Sequence, residues 1–197
     1  MLGAPLIIAA LCMMRPVYAD DVQSTYNRAM AYYHGNGDIA KDLQVAHRLF
    51  LKAESLGSID AQFNLGVMYD NGQGIQKNSP EALKWYEKAA NSGHAKAQYN
   101  LGAMLYEGYG TSKDVKQGLK WLLKAAEQGE VKAQYKLGCV LLENKGVEQD
   151  LPAALHWLQK AADQGHKDAS TTLTLALDFP DARKTHEKTH GKAIKTP

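Results

Sequence analysis

The three tryptophans of the 197-residue chain, Trp85, Trp121 and Trp157, stand 36 residues apart, and their surroundings recur with them. A small residue lies three positions before each (Ala82, Gly118, Ala154). A lysine and an alanine pair follow: Lys88-Ala89-Ala90, Lys124-Ala125-Ala126 and Lys160-Ala161-Ala162. A glycine closes each block at Gly93, Gly129 and Gly165. A fixed period of this length marks stacked supersecondary units, none of which can bury its apolar face alone. Such a chain folds into an array, and arrays bind other molecules far more often than they carry out chemistry.

Within the period the pattern is helical. Ala61, Leu65 and Tyr69 recur as Ala97, Leu101 and Leu105, then as Ala133, Leu137 and Leu141, and steps of four keep each trio on one helix face. Gly66, Gly102 and Gly138 sit inside those helices, where glycine costs roughly 1 kcal/mol against alanine. A cost incurred three times predicts close approach of a second backbone. Gly72-Gln73-Gly74 and Gly108-Tyr109-Gly110 then supply turns, and repeat four carries Asn144 and Gly146 there. Asn78, Asp114 and Asp150 are matched N-cap residues for a second helix, with Pro80 and Pro152 in its first turn. That helix shows an apolar stripe, Ala82, Trp85, Tyr86 and Ala89, so the tryptophans are expected in the core.

The units run over 61–96, 97–132 and 133–168, preceded by a degenerate repeat over 25–60 in which Leu49 replaces the tryptophan. Ala169, Leu173 and Leu177 predict one further capping helix over 169–178, stopped by Phe179-Pro180. The run Ala61, Leu65-Gly66, Tyr69, Gly72, Gly74, followed by Ala82, Trp85, Lys88-Ala89-Ala90 and Gly93, resembles the Sel-1-like repeat, a relative of the tetratricopeptide repeat. The likeness extends from residue 25 to about 178. It implies an all-α fold, a right-handed α-solenoid of antiparallel helix pairs, used as an adaptor or scaffold in protein complexes. In bacterial envelopes similar proteins act as regulators, assembly factors or host-interaction factors. Some exported relatives carry cysteine pairs that staple each repeat and have been linked to β-lactam binding or hydrolysis. The alternative of a β-lactamase-like or peptidoglycan-acting envelope enzyme follows from them, but this chain has only Cys12 and Cys139.

The termini read differently from the array. Leu6 to Met14 form an apolar run too short to span a bilayer, and Val17-Tyr18-Ala19 offers the small residues of a signal-peptidase site. Residues 1–19 are therefore expected to be a signal peptide, with an uncleaved anchor as the alternative, and the product is expected in a bacterial periplasm or secreted. No other run approaches membrane-spanning length. Residues 180–197 form a basic tail, expected to be disordered, with five basic and two acidic side chains. With Arg15 in the leader and an overall charge of +2, the residues between, 20–179, hold −2 and offer no basic field for nucleic acid.

Function then falls on the helix face that the packing stripe leaves unclaimed. The third, seventh and tenth positions of each repeat point there: Phe63, Val67 and Asp70; Tyr99, Ala103 and Tyr106; Tyr135, Cys139 and Leu142. Stacking would align Phe63, Tyr99 and Tyr135 as an aromatic ladder, either lining a groove for an extended or helical segment of a protein partner or packing between repeats as core. No catalytic residue, metal ligand or cofactor is expected. His186-Glu187-Lys188-Thr189-His190 fits the zinc-protease pattern in letters, yet it follows a helix-stopping proline and has neither an apolar stripe nor a third ligand. Cys139, among Leu137, Leu141 and Leu142, is expected to be a buried, inert thiol.

Overall fold

The computed structural model describes residues 21–143, 149–178 and 182. They hold nine α-helices and no strand: α1 Val22–His34, α2 Leu43–Ser55, α3 Ile59–Asn71, α4 Ser79–Asn91, α5 Ala95–Glu107, α6 Val115–Glu127, α7 Val131–Glu143, α8 Leu151–Asp163 and α9 Lys167–Leu177. The asparagine and aspartates expected as caps perform that task. Asn78, Asp114 and Asp150 accept backbone N–H groups at the starts of α4, α6 and α8, and Asp42 does the same for α2. Gly72 and Gly108 end α3 and α5 with φ of 70° and 78°, which an L side chain adopts only under strain. The first helix of each unit starts two residues ahead of its first buried alanine, because Ser58 and His94 cap it from outside.

Odd- and even-numbered helices pair as hairpins, and the hairpins stack into an α-solenoid. Each in-helix glycine faces a large side chain of the second helix. A Cβ on Gly66 would stand 2.6 Å from the Tyr86 ring, and one on Gly138 would stand 2.6 Å from Leu158 Cγ. At Gly102 the obstacle is backbone, Gly118 O at 2.9 Å, because Gly118 replaces the alanine used in neighbouring units. The expected backbone approach is thus found at Gly102 and, with Ala154 O at 3.2 Å behind Leu158, at Gly138; at Gly66 the Tyr86 ring fills the notch. Thr174 stands where this glycine would fall in α9, and its hydroxyl donates to the Ser170 carbonyl.

The deepest side chains of the second helices are Tyr86, Leu122 and Leu158, at 1%, 0% and 0% exposure. The tryptophans one position earlier are half-buried, which corrects the expectation of a core location. Each lies against the cluster of the preceding unit: Trp85 on the one containing Phe50 and Leu65, Trp121 on Tyr86 and Leu101, Trp157 on Leu122 and Leu137. The lysine three residues later covers the outer side of the indole, with Nζ at 4.2, 4.2 and 4.9 Å from the ring centroids. A cation over an indole face is attractive, and the lysine stem adds apolar cover. The three Trp-x-x-Lys spacings therefore build three identical lids.

Candidate protein-binding face

The face expected to bind carries half-buried aromatic rings seated on helix caps. His94 Nδ1 accepts the Ala97 N–H at 3.1 Å, and its ring stacks on Phe63 with centroids 4.6 Å apart. His166 repeats the arrangement two units on, accepting from Ala169 at 3.2 Å and stacking on Tyr135 at 4.5 Å. A histidine whose Nδ1 is spent on a cap is fixed in plane, so Phe63 and Tyr135 each meet a rigid ring. Tyr99 is the rung between them, and there Glu130 replaces the histidine. Burial pushes the Tyr99 hydroxyl up, with Lys136 opposing.

The predicted residues do not share one trough. Phe63 lines a groove of about 530 Å³ that also receives Tyr26 and Met30 from α1 and the Gln128–Glu130 turn. Residues of the first and third units thus meet across one concavity on the side of the odd-numbered helices. Tyr106, Tyr135 and Cys139 line a second groove of about 530 Å³ together with the ion pair of Lys136 and Glu107, 2.6 Å apart. Leu142 lines a third, apolar one of about 430 Å³ with Leu151 and Leu175. Val67 packs half-buried against the Tyr86 cluster, Tyr99 against the Leu122 cluster, and Ala103 is half-buried; none of them lines these three grooves. Tyr106 is 6% exposed, beneath the ammonium groups of Lys113 and Lys136 at 5.4 and 5.2 Å, so its face is packed rather than displayed. Asp70 is half-buried, and its charge bears on Tyr86, whose hydroxyl burial has already pushed far up.

Cys139 is half-buried rather than buried, and burial raises its thiol pKa while the Tyr135 hydroxyl lowers it. Among the described residues no three His, Cys, Asp or Glu side chains gather as a metal site. The zinc-like pattern at 186–190 lies outside the described residues, as do residues 1–20 and all of the basic tail except Ala182, which is buried in the cluster of Leu173 and Leu177.

Sequence reading missed a chain of glutamines. Gln98 Nε2 donates to Ala90 O, and Gln98 Oε1 accepts from Gln128 Nε2 at 2.6 Å. One unit on, Gln134 donates to Ala126 O and accepts from Gln164 Nε2 at 2.7 Å. Each pair stitches one first helix to the second helices before and after it. The 36-residue spacing of Gln62, Gln98 and Gln134 was the available signal. At Gln62 the partner position holds Ser92, too short to reach, and Gln62 Oε1 is buried without a hydrogen bond.

Eight thirteen-residue helices and one of eleven, paired as stacked hairpins among the described residues, define an α-solenoid of helical repeats. The Sel1 repeat pattern matches residues 22–58, 59–94, 95–130 and 131–166, and the chain belongs to that family. A Sel1 repeat protein from Oxalobacter formigenes is similar in structure at a TM-score of 0.77 and 27% identity, covering 92% of this chain and 78% of that one. A protective antigen present in uropathogenic Escherichia coli strains, with the same repeat fold, is similar at a TM-score of 0.78 and 25% identity. That match covers 86% of this chain but 37% of the antigen. A Pseudomonas aeruginosa protein is similar at a TM-score of 0.54 and 29% identity, over 75% of this chain and 54% of that one. Comparison with curated proteins gives no match. Sel1 repeat proteins are generally protein-interaction scaffolds and mostly non-catalytic. Among the described residues no helix is long and apolar enough to cross a membrane.

Proposed function

We propose that this chain is a non-catalytic scaffold of the bacterial cell envelope that holds a segment of another protein along the odd-helix face. The observation that carries the reading is the row Phe63, Tyr99 and Tyr135, rings in register in the second, third and fourth units and each partly open to solvent. Aromatic rings on a rigid support offer large contact area with few rotors to freeze, and for that reason they dominate binding hot spots. Export is supported by the apolar run Leu6 to Met14 and the Val17-Tyr18-Ala19 site that follows it.

A photo-crosslinking side chain at position 99, activated in intact cells, tests both halves. The expected product is an adduct with one defined envelope polypeptide. The double substitution Tyr99→Ala, Tyr135→Ala should weaken the purified complex by roughly 1–3 kcal/mol for each ring. Unchanged affinity of the purified complex in a folded double variant would rule the row of rings out as the binding surface. Cytoplasmic fractionation of the full-length chain would rule out the location.

A further inference from the structure

Resting on the protein-binding reading above, we infer that the groove between the first and third units is a receptor for a cationic side chain, arginine or lysine, of the partner segment. Its walls and its rim differ in chemistry. Tyr26, Met30 and Phe63 supply two aromatic rings and a thioether, with His94 already stacked on one face of Phe63, while Asp60 and Glu130 bring carboxylates from two successive units. The Asp60 side chain is 63% exposed, and its one polar neighbour across the groove is His94 Nε2 at 3.4 Å. His94 has already committed Nδ1 to the Ala97 N–H, so it faces Asp60 as a neutral imidazole.

Glu130 is the informative substitution. The equivalent positions, His94 and His166, close over a ladder ring and cap a helix through Nδ1. Glu130 makes only a 3.4 Å contact with the Lys132 N–H and leaves a carboxylate at the groove edge. Against these two negative charges the lining carries one cation, Lys96. A cationic stem laid along Tyr26 and Met30 with its head between Asp60 and Glu130 would combine charge-assisted hydrogen bonding with attraction to the Tyr26 ring. An acidic or purely apolar segment gains neither. The volume of about 530 Å³ accommodates one long side chain and the backbone beside it.

The probe is an acetylated and amidated nonapeptide, Gly-Ser-Arg repeated three times, titrated into the ¹⁵N-labelled full chain. Its citrulline counterpart keeps size and hydrogen bonding without charge. The arginine peptide should shift the amides of Phe63, Asn64 and Glu130, and citrulline should bind about tenfold more weakly. The variant D60N/E130Q should lose about tenfold in affinity, while E127Q/D163N, which removes the same charge from the even helices, should stay within about twofold. Equal affinity for the two peptides, or equal loss in both variants, overturns the inference. So does tighter peptide binding by a chain ending at residue 178, which would make the protein's own basic tail the occupant, and so does peptide-independent dimerisation through the same amides. Failure of the underlying scaffold reading looks different: position 99 would then crosslink to no polypeptide. If only the present inference fails, those adducts persist and D60N/E130Q retains them.

Discussion

At the scale of single residues, the sharpest contrasts lie between positions that the period makes equivalent. Gln98 and Gln134 each have both ends of the amide satisfied, whereas Gln62 Oε1 is buried and unpaired because Ser92 occupies the position of Gln128 and Gln164. Ser92→Gln should complete the chain and stabilise the fold by about 0.5–1.5 kcal/mol in urea denaturation. No gain, with Gln62→Leu equally neutral, would show that the amide is solvated in practice. His94 makes a pH prediction. Burial lowers its pKa from the ordinary 6.5, with Asp60 pulling the other way. The unfolded histidine takes its proton first, so this part of the stability is intact above about pH 6.5 and is lost as pH falls through the lower folded value. His47, buried with Nε2 unpartnered, acts in the same direction. Replacing His94 by serine, the cap already used at Ser58, should flatten the dependence of Tm on pH between about 7 and 5 without abolishing it. An unaltered slope would contradict the capped, neutral imidazole.

At the scale of helices, much was legible, because a 36-residue period combined with caps and helical spacing leaves little freedom. Asn78, Asp114 and Asp150 marked helix starts through a local hydrogen bond, and local chemistry can be read from local letters. Depth could not be read this way. Trp85 and Tyr86 stand about 100° apart on α4, both on its apolar stripe, and it is Tyr86 that goes inward against Gly66. Tyr86→Ala should therefore cost about 3–5 kcal/mol, and Trp85→Ala less, since half of that ring is covered only by a lysine. Calorimetric melting would check the order, and the reverse order would restore the tryptophan as the core residue. The site was less legible for a related reason. Phe63, Tyr106, Tyr135 and Leu142 share a helix face, yet curvature of the array assigns them to three grooves. Packing within a hairpin is set finely: the absent side chain of Gly118 lets Gly102 O of the paired helix approach to 2.8 Å of the place where a Cβ would stand. Gly102→Ala should destabilise by about 1–3 kcal/mol, although alanine is the better helix former.

At the scale of the whole molecule, a solenoid has no central core, and its four clusters of buried residues are joined only through neighbours. The last cluster depends on α9, whose Leu173 and Leu177 pack with Leu155 and Leu158 of α8. Damage at that end should consequently stay there. In Leu173→Ala, Leu177→Ala, amide hydrogen exchange should quicken in α7 to α9, where burial of leucine is lost at about 2–5 kcal/mol per site, while α1 to α4 keep their protection under native conditions. A uniform loss of protection from α1 to α9 would mean that the hairpins unfold as one body and that the repeats are coupled beyond nearest neighbours. The distinction bears on binding as well. A partner lying across the first and third units would tie together hairpins that otherwise open independently, so occupancy of the groove at Phe63 should slow exchange in α1 through α6 and leave α8 and α9 as they were.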